Sequence, residues 1–283
     1  MKLLAVSGGP DSMFLLDWYK NKKIVVAHVN YNKREDSNID QKIVEDFCIK
    51  NNIPYKVLNI NKEPKGNFQD WARKIRYDFF KKIYTEFNCN KLLIAHHRDD
   101  FIETAIMQQQ SGRTPRFLGI RKRNIINGMN IYRPFIDLYW KNDIQKHLEH
   151  NDIKFAVDYT NTESTYERNK IRIELSKKTK KEKKSIYKWF KMSNKILKKK
   201  FNKVDYLYKK WKESKYDIKL FRVIKYKEEV LFEYINDSFI SINLSGGKLN
   251  NLIDYIVSPN GGKEFKLNKD ISIIKKNNHL LKV

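Results

Sequence analysis

The chain has 283 residues, 58 Lys+Arg against 33 Asp+Glu, and a formal net charge of +25. At roughly 150 residues per domain this length fits two domains, with a core that needs no disulfide or metal staple. With 41% hydrophobic and 13% aromatic residues it is no disordered polycation, and its excess charge points to a polyanion, nucleic acid before an anionic membrane surface.

The first half alternates strand and helix signals. Leu3 to Val6 is an apolar run stopped by Ser7-Gly8-Gly9, the pattern of a buried parallel strand. Ser12 to Lys20 carries Met13, Leu16 and Tyr19 at helical spacing. Ile24 to Val29 reads as a second strand. Ile39, Ile43, Phe47 and Ile49 mark a second helix ending near Asn51-Asn52. Tyr55 to Ile60 reads as a third strand. Phe68, Ala72, Ile75, Phe79, Ile83 and Phe87 predict a long amphipathic helix. Leu92 to Ala95 reads as a fourth strand, Phe101 to Gln110 as a helix, and Ile131 to Ile136 as a fifth strand broken by Pro134. Such alternation predicts a doubly wound, mostly parallel α/β sheet with ligands at the carboxyl ends of its strands.

The second half changes character. Lys177 to Lys200 holds twelve lysines and one acid, Glu182, on a thin apolar stripe of Ile186, Phe190 and Leu197, running on to Phe201. It predicts a basic amphipathic helix or a helical hairpin. From Asp217 the pattern turns strand-like, at Ile218, Leu220 and Arg222-Val223 and then at Val230-Leu231-Phe232. Ser245-Gly246-Gly247, Pro259-Asn260-Gly261-Gly262 and Asn277-Asn278 read as turns. The predicted organisation is a catalytic domain over 1–176, a basic helical connector over 177–216, and a small α+β domain over 217–283.

Cys48 and Cys89 are the two cysteines, with no CxxC. Thioredoxin chemistry, Cys-rich zinc ribbons and cysteine-ligated iron–sulfur clusters are excluded, and reduced core thiols are expected. The apolar start Met1–Val6 is too short for a signal-peptide core. No apolar run approaches the ~18 residues of a membrane-spanning helix. A cytoplasmic protein without membrane association is expected.

Ser7-Gly8-Gly9-Pro10-Asp11-Ser12 lies between the first strand and the first helix. Glycines let the backbone turn tightly against a ligand, and a helix start offers free N–H groups to an anion. The hydroxyls of Ser7 and Ser12 add donors. Asp11, itself an anion, would hold a metal ion or cap the helix. The hexamer alone fits an ordinary glycine-rich turn equally well; its position after strand one favours phosphate. GxxxxGK[ST] and GxGxxG are both absent.

With this loop the sequence resembles the PP-loop, or N-type, ATP pyrophosphatases. Further motifs resemble the tRNA(Ile)-lysidine synthases among them. They are His28-Val29-Asn30-Tyr31 with Arg34; Ala72-Arg73 with Arg76-Tyr77; Ala95-His96-His97-Arg98-Asp99-Asp100 through Glu103-Thr104; Arg133-Pro134; and Asp158, Asn161 and Arg168-Asn169-Lys170-Ile171-Arg172. They cover about residues 1–175. The chain departs from the family pattern at Ser111-Gly112, where Arg-Gly is usual and Arg113 follows instead. It also departs at Asn30-Tyr31, where many relatives carry histidines.

The resemblance implies two steps. ATP with Mg²⁺ adenylates the wobble cytidine of a CAU-anticodon isoleucine tRNA and releases pyrophosphate. The ε-amine of free lysine then displaces AMP. Candidate catalytic residues are Asp100, Glu103 and His96. His96 to Asp100 is four residues and Asp100 to Glu103 three, which would bring the three onto one helix face. Paired carboxylates there suit Mg²⁺ or the lysine ammonium, and a solvated acidic helix start is the bland alternative. Ser7 through Ser12 are the ATP-binding candidates, and Asp11 with Asp100 the metal candidates. Arg73, Arg76, Arg168, Asn169 and Arg172 are the tRNA-binding candidates, against the alternative of solvated faces on a basic protein. The lysine-rich stretch fits sequence-independent phosphate contacts or a solvated helix. Another PP-loop tRNA-modifying enzyme and a non-catalytic RNA-binding protein on the same fold are the rival readings. The sequence leaves the oligomeric state open, a homodimer included.

Overall fold

The computed structural model describes residues 1–32, 37–60, 66–112, 114–156, 166–239, 242, 244–259 and 264–283. Arg34, Arg113, Asp158 and Asn161 lie outside the described residues, as does most of the turn expected at Pro259-Gly262.

The chain divides into two compact units, Met1–Ser193 and Asn194–Val283. The first is built on a six-stranded sheet: β1 Lys2–Ala5, β2 Ile24–Asn30, β3 Tyr55–Asn59, β4 Lys91–Leu93, β5 Arg123–Ile126 and β6 Met129–Tyr132. Their spatial order is β3-β2-β1-β4-β6-β5. All pairings are parallel except β5 with β6. The strands are apolar runs because both faces are covered. Leu4 and Val26 pack into one core with Phe14, Val44, Phe135 and Ile144, while their neighbours Leu3 and Val25 enter the opposite core with Phe80, Ile83 and Leu92. That two-residue alternation is the period of a strand.

The covering helices are α1 Pro10–Tyr19, α2 Ser37–Lys50, α3 Phe68–Glu86, α4 Arg98–Gln110, α5 Lys141–His150 and α6 Tyr166–Ser176. The chain lays β2 and β3 on one side of β1 and β4 on the other. The carboxyl ends of β1 and β4 therefore flank the switch point where such sheets bind ligands.

Several expectations change. The fifth strand is shorter than expected: β6 stops at Tyr132, and Pro134–Asp137 forms a 3-10 turn, since proline cannot extend a ladder. β6 also has a hairpin partner, β5, joined through Asn127-Gly128, both at positive φ. Asn-Gly is the usual dipeptide of a two-residue hairpin turn. The lysine-rich stretch is not a hairpin of helices. From Lys180 on it lies in one helix, α7 Lys180–Glu213, whose residues to Ser193 belong to the first unit and the rest to the second.

The second unit corrects the strand-like reading after Asp217. Ile218–Val223 is helix α8 and Lys227–Ser238 helix α9. Asp217 starts α8 by accepting the Leu220 N–H at 2.6 Å. Buried Ile218 and Phe221, then Val230, Leu231, Tyr234 and Ile235, recur at helical spacing. Ser245-Gly246-Gly247 opens helix α10 Gly246–Val257, with Ser245 as its N-cap, because a turn-forming serine is also a preferred cap. An antiparallel sheet, β7 Phe265–Lys266, β8 Ser272–Lys276 and β9 His279–Lys282, completes the unit.

Its core centres on Trp211, fully buried against Phe221 and Tyr234, with Nε1–H donating to the Asp217 carbonyl at 2.9 Å. Trp211→Ala is expected to cost about 3–5 kcal/mol, with Trp211→Phe costing less. Urea titration followed by far-UV dichroism measures both; a loss below about 1 kcal/mol for the alanine variant would refute this account of the core.

Candidate active site

The loop after β1 is organised from within. Ser12 Oγ donates to the Gly9 carbonyl at 2.9 Å and accepts the Ser7 N–H at 3.1 Å. With its proton so committed, Ser12 Oγ receives the Ser7 hydroxyl at 3.2 Å. Ser12 is thus a buried brace of the loop, not a free donor. Gly8 sits at φ +90, and a Cβ there would meet the Asp40 carbonyl oxygen at 2.9 Å. The Gly8 carbonyl accepts the Ala156 N–H at 2.9 Å. From the neighbouring strand, buried His28 donates Nδ1–H to the Val6 carbonyl at 3.0 Å, fixing the point where β1 enters the loop. Gly9 is the N-cap of α1, Pro10 follows at the first turn, and Asp11 lies inside that turn. Asp11 is therefore not the cap; its carboxylate stands beside the positive end of the helix.

The loop after β4 brings a second helix start to the same place. His97 is the N-cap of α4, and its own N–H donates to Asp100 Oδ2 at 2.9 Å. His96 lies before the helix, so the strand end, not a shared helix face, brings it to the pocket that Asp100 lines. The buried imidazole of His97 is surrounded by carboxylates. Nε2 is 3.4 Å from Asp11 Oδ1 and 3.5 Å from Asp100 Oδ2, and Nδ1 is 3.6 Å from Asp99 Oδ2. Burial alone would lower its pKa, but Asp100, Asp11 and Asp99 together outweigh that and raise it to about 9. His97 is a cation at neutral pH.

His96 behaves oppositely. Burial, with the positive charge of Arg133 added, pushes its pKa down to about 4. The Arg133 Nε–H donates to His96 Nδ1 at 2.9 Å, so the neutral ring carries its proton on Nε2. It can donate a hydrogen bond into the cleft but has no free basic nitrogen to accept a proton.

Two chambers meet at these helix starts. One, of about 400 Å³, is lined by the phosphate loop together with Tyr31, Arg73, Arg76, Tyr77, His96 and Asp100. The Arg73 guanidinium lies 4.8 Å over the Tyr77 ring. The other, of about 610 Å³, is lined by Asp99, Asp100, Glu103, Asn169, Arg172, Lys178 and Lys183 among others. Asp11, Asp100, Pro10 and Ala156 line both.

Arg168 and Arg172 turn inward. Arg168 donates to Glu103 Oε2 at 2.9 Å and reaches Asp100 Oδ1 at 3.6 Å; Arg172 donates to the same Glu103 carboxylate at 3.1 Å. Glu103 is thus matched by two guanidinium groups. Lys183, from α7, pairs with Asp99 at 3.0 Å, a contact across 84 residues of sequence that no local signal announces. Lys180 pairs with Asp143 and Lys191 with Asp137, so part of the lysine-rich stretch neutralises this unit's own acids.

Among the described residues no cluster of three or more His, Cys, Asp or Glu side chains suits a metal ion. Asp11 and Asp100 are nevertheless two carboxylates on one imidazole nitrogen, and buried Asp11 Oδ1 accepts no hydrogen bond. One or two carboxylates, with the remaining positions left to water and phosphate, is the usual protein share of a Mg²⁺ site. The donor set fits that ion.

Comparison with known proteins agrees with this geometry. Residues 1–179 match the family model described as a PP-loop domain. The chain is 48% identical over 97% of its length to the tRNA(Ile)-lysidine synthase of Mycoplasmopsis pulmonis, spanning 96% of that protein. It is 39% identical over 97% of its length to the tRNA(Ile)-lysidine synthase of Mycoplasma genitalium, spanning 94% of it. Among solved structures, the U34-tRNA thiolase NcsA of Methanococcus maripaludis, described with its [4Fe-4S] cluster, shares the fold at TM-score 0.56 and 18% identity, over 69% of this chain and 71% of that one.

His97→Gln removes a cation shared by buried carboxylates and is expected to lower unfolding free energy by about 3–5 kcal/mol in Mg²⁺-free buffer. The sign with pH follows from the raised pKa. The contribution is complete below 6.5 and is lost as pH climbs through about 9. His96, with its lowered pKa, costs stability instead as pH falls from 6.5 towards about 4. Urea midpoints at pH 6, 7.5 and 9 test this, and an equal alkaline loss in wild type and His97→Gln would refute it.

Proposed function

Because the chain belongs to the tRNA(Ile)-lysidine synthase family, we propose that it uses ATP to join free lysine to the wobble cytidine of a CAU-anticodon isoleucine tRNA. It acts as a ligase that forms a C–N bond and releases AMP and pyrophosphate. The observation that carries the reading is the pair of chambers sharing Asp11 and Asp100. A reaction that first activates a carbonyl oxygen with ATP and then attacks its carbon with an amine needs two substrates to reach one carbonyl group from different sides.

In the first step the carbonyl oxygen on the cytidine base ring attacks the α-phosphorus of ATP, and the bond to the β-phosphate breaks. The loop amides and the first turn of α1 receive the pyrophosphate. Mg²⁺ held by Asp11 and Asp100 would neutralise the phosphate charge. His96, with its proton on Nε2, donates to a substrate oxygen. Arg73 and Arg76 line the same chamber and meet tRNA or ATP phosphates; Arg is suited to such planar, multidentate contacts.

In the second step the neutral ε-amine of lysine attacks the activated ring carbon, AMP leaves with the electron pair of the C–O bond, and the amine nitrogen gives up a proton to the Asp100 carboxylate. The second chamber suits a zwitterion. Asp100 faces the amine, while Arg172 and Lys178 offer positive charge to the α-carboxylate. Glu103, already held by Arg168 and Arg172, sets those guanidinium groups in position. Every residue used lies in the first unit of one chain, so the reading does not require a homodimer. Among the described residues no helix is long and apolar enough to cross a membrane.

The rival readings separate on one assay: bulk tRNA, ATP and radiolabelled lysine. Lysine-dependent labelling of tRNA with stoichiometric AMP supports this reading. Sulfur transfer would favour another PP-loop tRNA-modifying enzyme, and binding without AMP a non-catalytic protein.

Two variants test the chambers. Asp11→Asn should cut pyrophosphate release by about 100-fold or more, the scale of losing a transition-state charge contact, while tRNA affinity persists. Glu103→Gln loosens the guanidinium groups that Glu103 positions; it should raise the lysine requirement about 10-fold or more, the scale of one weakened charge-assisted contact, and leave lysine-free adenylation nearly intact. If instead Glu103→Gln stops adenylation at unchanged lysine affinity, the second chamber is not the lysine site.

A further inference from the structure

The far edge of the sheet carries a concavity that neither chamber includes. It holds about 580 Å³ and is lined by Lys91, Arg121, Arg123, Asn124, Asn130 and Tyr132, with no acid in its wall. Lys91 Nζ and Arg123 Cζ each lie 5.7 Å from the centroid of the Tyr132 ring. The Arg121 guanidinium lies 4.7 Å over the Phe117 ring. An aromatic face positions a cation without cancelling its charge, so these groups are held in place and still carry a full positive charge.

Several other cations of the first unit are neutralised: Lys122 and Lys191 by Asp137, Lys183 by Asp99, Arg168 and Arg172 by Glu103. Lys91, Arg121 and Arg123 are all exposed, and none forms an ion pair among the described residues. Three like charges gathered in one acid-free hollow call for an anion from outside.

The hollow also adjoins the nucleotide chamber. Ile94, which lines that chamber, donates its N–H to the Tyr132 carbonyl at 3.1 Å. Arg133 spans the gap: its Nε–H holds His96 and its Nη1–H donates to the Arg121 carbonyl at 2.8 Å.

We propose that this hollow is a second RNA-contacting site, in which Lys91, Arg121 and Arg123 bind backbone phosphates of the tRNA strand whose base enters the nucleotide chamber. The proposal rests on the function argued above. Unstacking a base costs free energy that contacts to its flanking backbone help to offset, and a basic hollow one strand away is placed to supply them. Lys122 is excluded from this role because Asp137 already occupies it at 2.9 Å.

The test is the triple variant Lys91→Ala/Arg121→Ala/Arg123→Ala in the full chain, with its far-UV spectrum and melting temperature checked first. Filter binding of tRNA from 50 to 300 mM KCl gives the log–log salt slope. Loss of three phosphate contacts should lessen that slope by about 0.7 to 0.9 per contact, raise the KM for tRNA, and leave the KM for ATP unchanged. The double variant Arg121→Lys/Arg123→Lys should keep the slope. An unchanged slope and KM in the triple variant overturns the site. So does a double variant as impaired as the triple, which would mean that shape and not charge was lost. Wild-type protein that neither binds nor labels tRNA would sink the underlying function, and the site with it; wild type that labels tRNA while the triple variant matches it would sink the site alone.

Discussion

Much of the first unit depends on the cost of burying charge. Asp99, Asp100 and Glu103 all sit within two turns of the start of α4 and are nearly inaccessible to water. Buried carboxylates persist only when matched, and here most of the match comes from other elements. His97 is the N-cap of α4 itself, but Arg168 and Arg172 come from α6 and Lys183 from α7. The same contacts that settle the electrostatics also fix where those helices lie against the sheet. Stability and the arrangement of the two chambers therefore cannot be varied independently.

The alternation of strand and helix was legible because the parallel strands are short apolar runs and the helices carry clear stripes. The phosphate loop was legible because glycines, a proline and a serine fall between two such elements. What was not legible follows from range. Local spacing shows Arg168 and Arg172 on one face of a helix, but only folding reveals that the face turns to Glu103, 65 residues earlier. The same holds for Lys183, which reads as one solvated lysine among twelve. In the second unit, β-branched and aromatic residues at Ile218 to Val223 and Val230 to Phe232 suggest strands. The capping carboxylate of Asp217 and burial at helical spacing decide otherwise. Asn127-Gly128 is a local hairpin signal in its own right, and the structure places it between β5 and β6.

The two histidines show how little residue type alone decides. They are adjacent in sequence and both largely withdrawn from water. One meets carboxylates and holds its proton to about pH 9; the other meets an arginine and gives it up near pH 4. Sequence names the pair as a motif, but the roles are set by which charge each ring faces. That difference leaves His96 as a donor of fixed tautomer and His97 as an internal counterion.

The loop after β1 is braced by the protein's own groups. Ser12 braces it, His28 fixes its entry, and Ala156 holds the Gly8 carbonyl. A cradle that needs no ordering spends little entropy on capture, but it is equally ready once the bond has broken. On the function proposed above, the amides that receive the triphosphate would also hold the departing pyrophosphate. Product inhibition would follow from such rigidity, and forward turnover would then lean on whatever hydrolyses pyrophosphate in the surrounding solution.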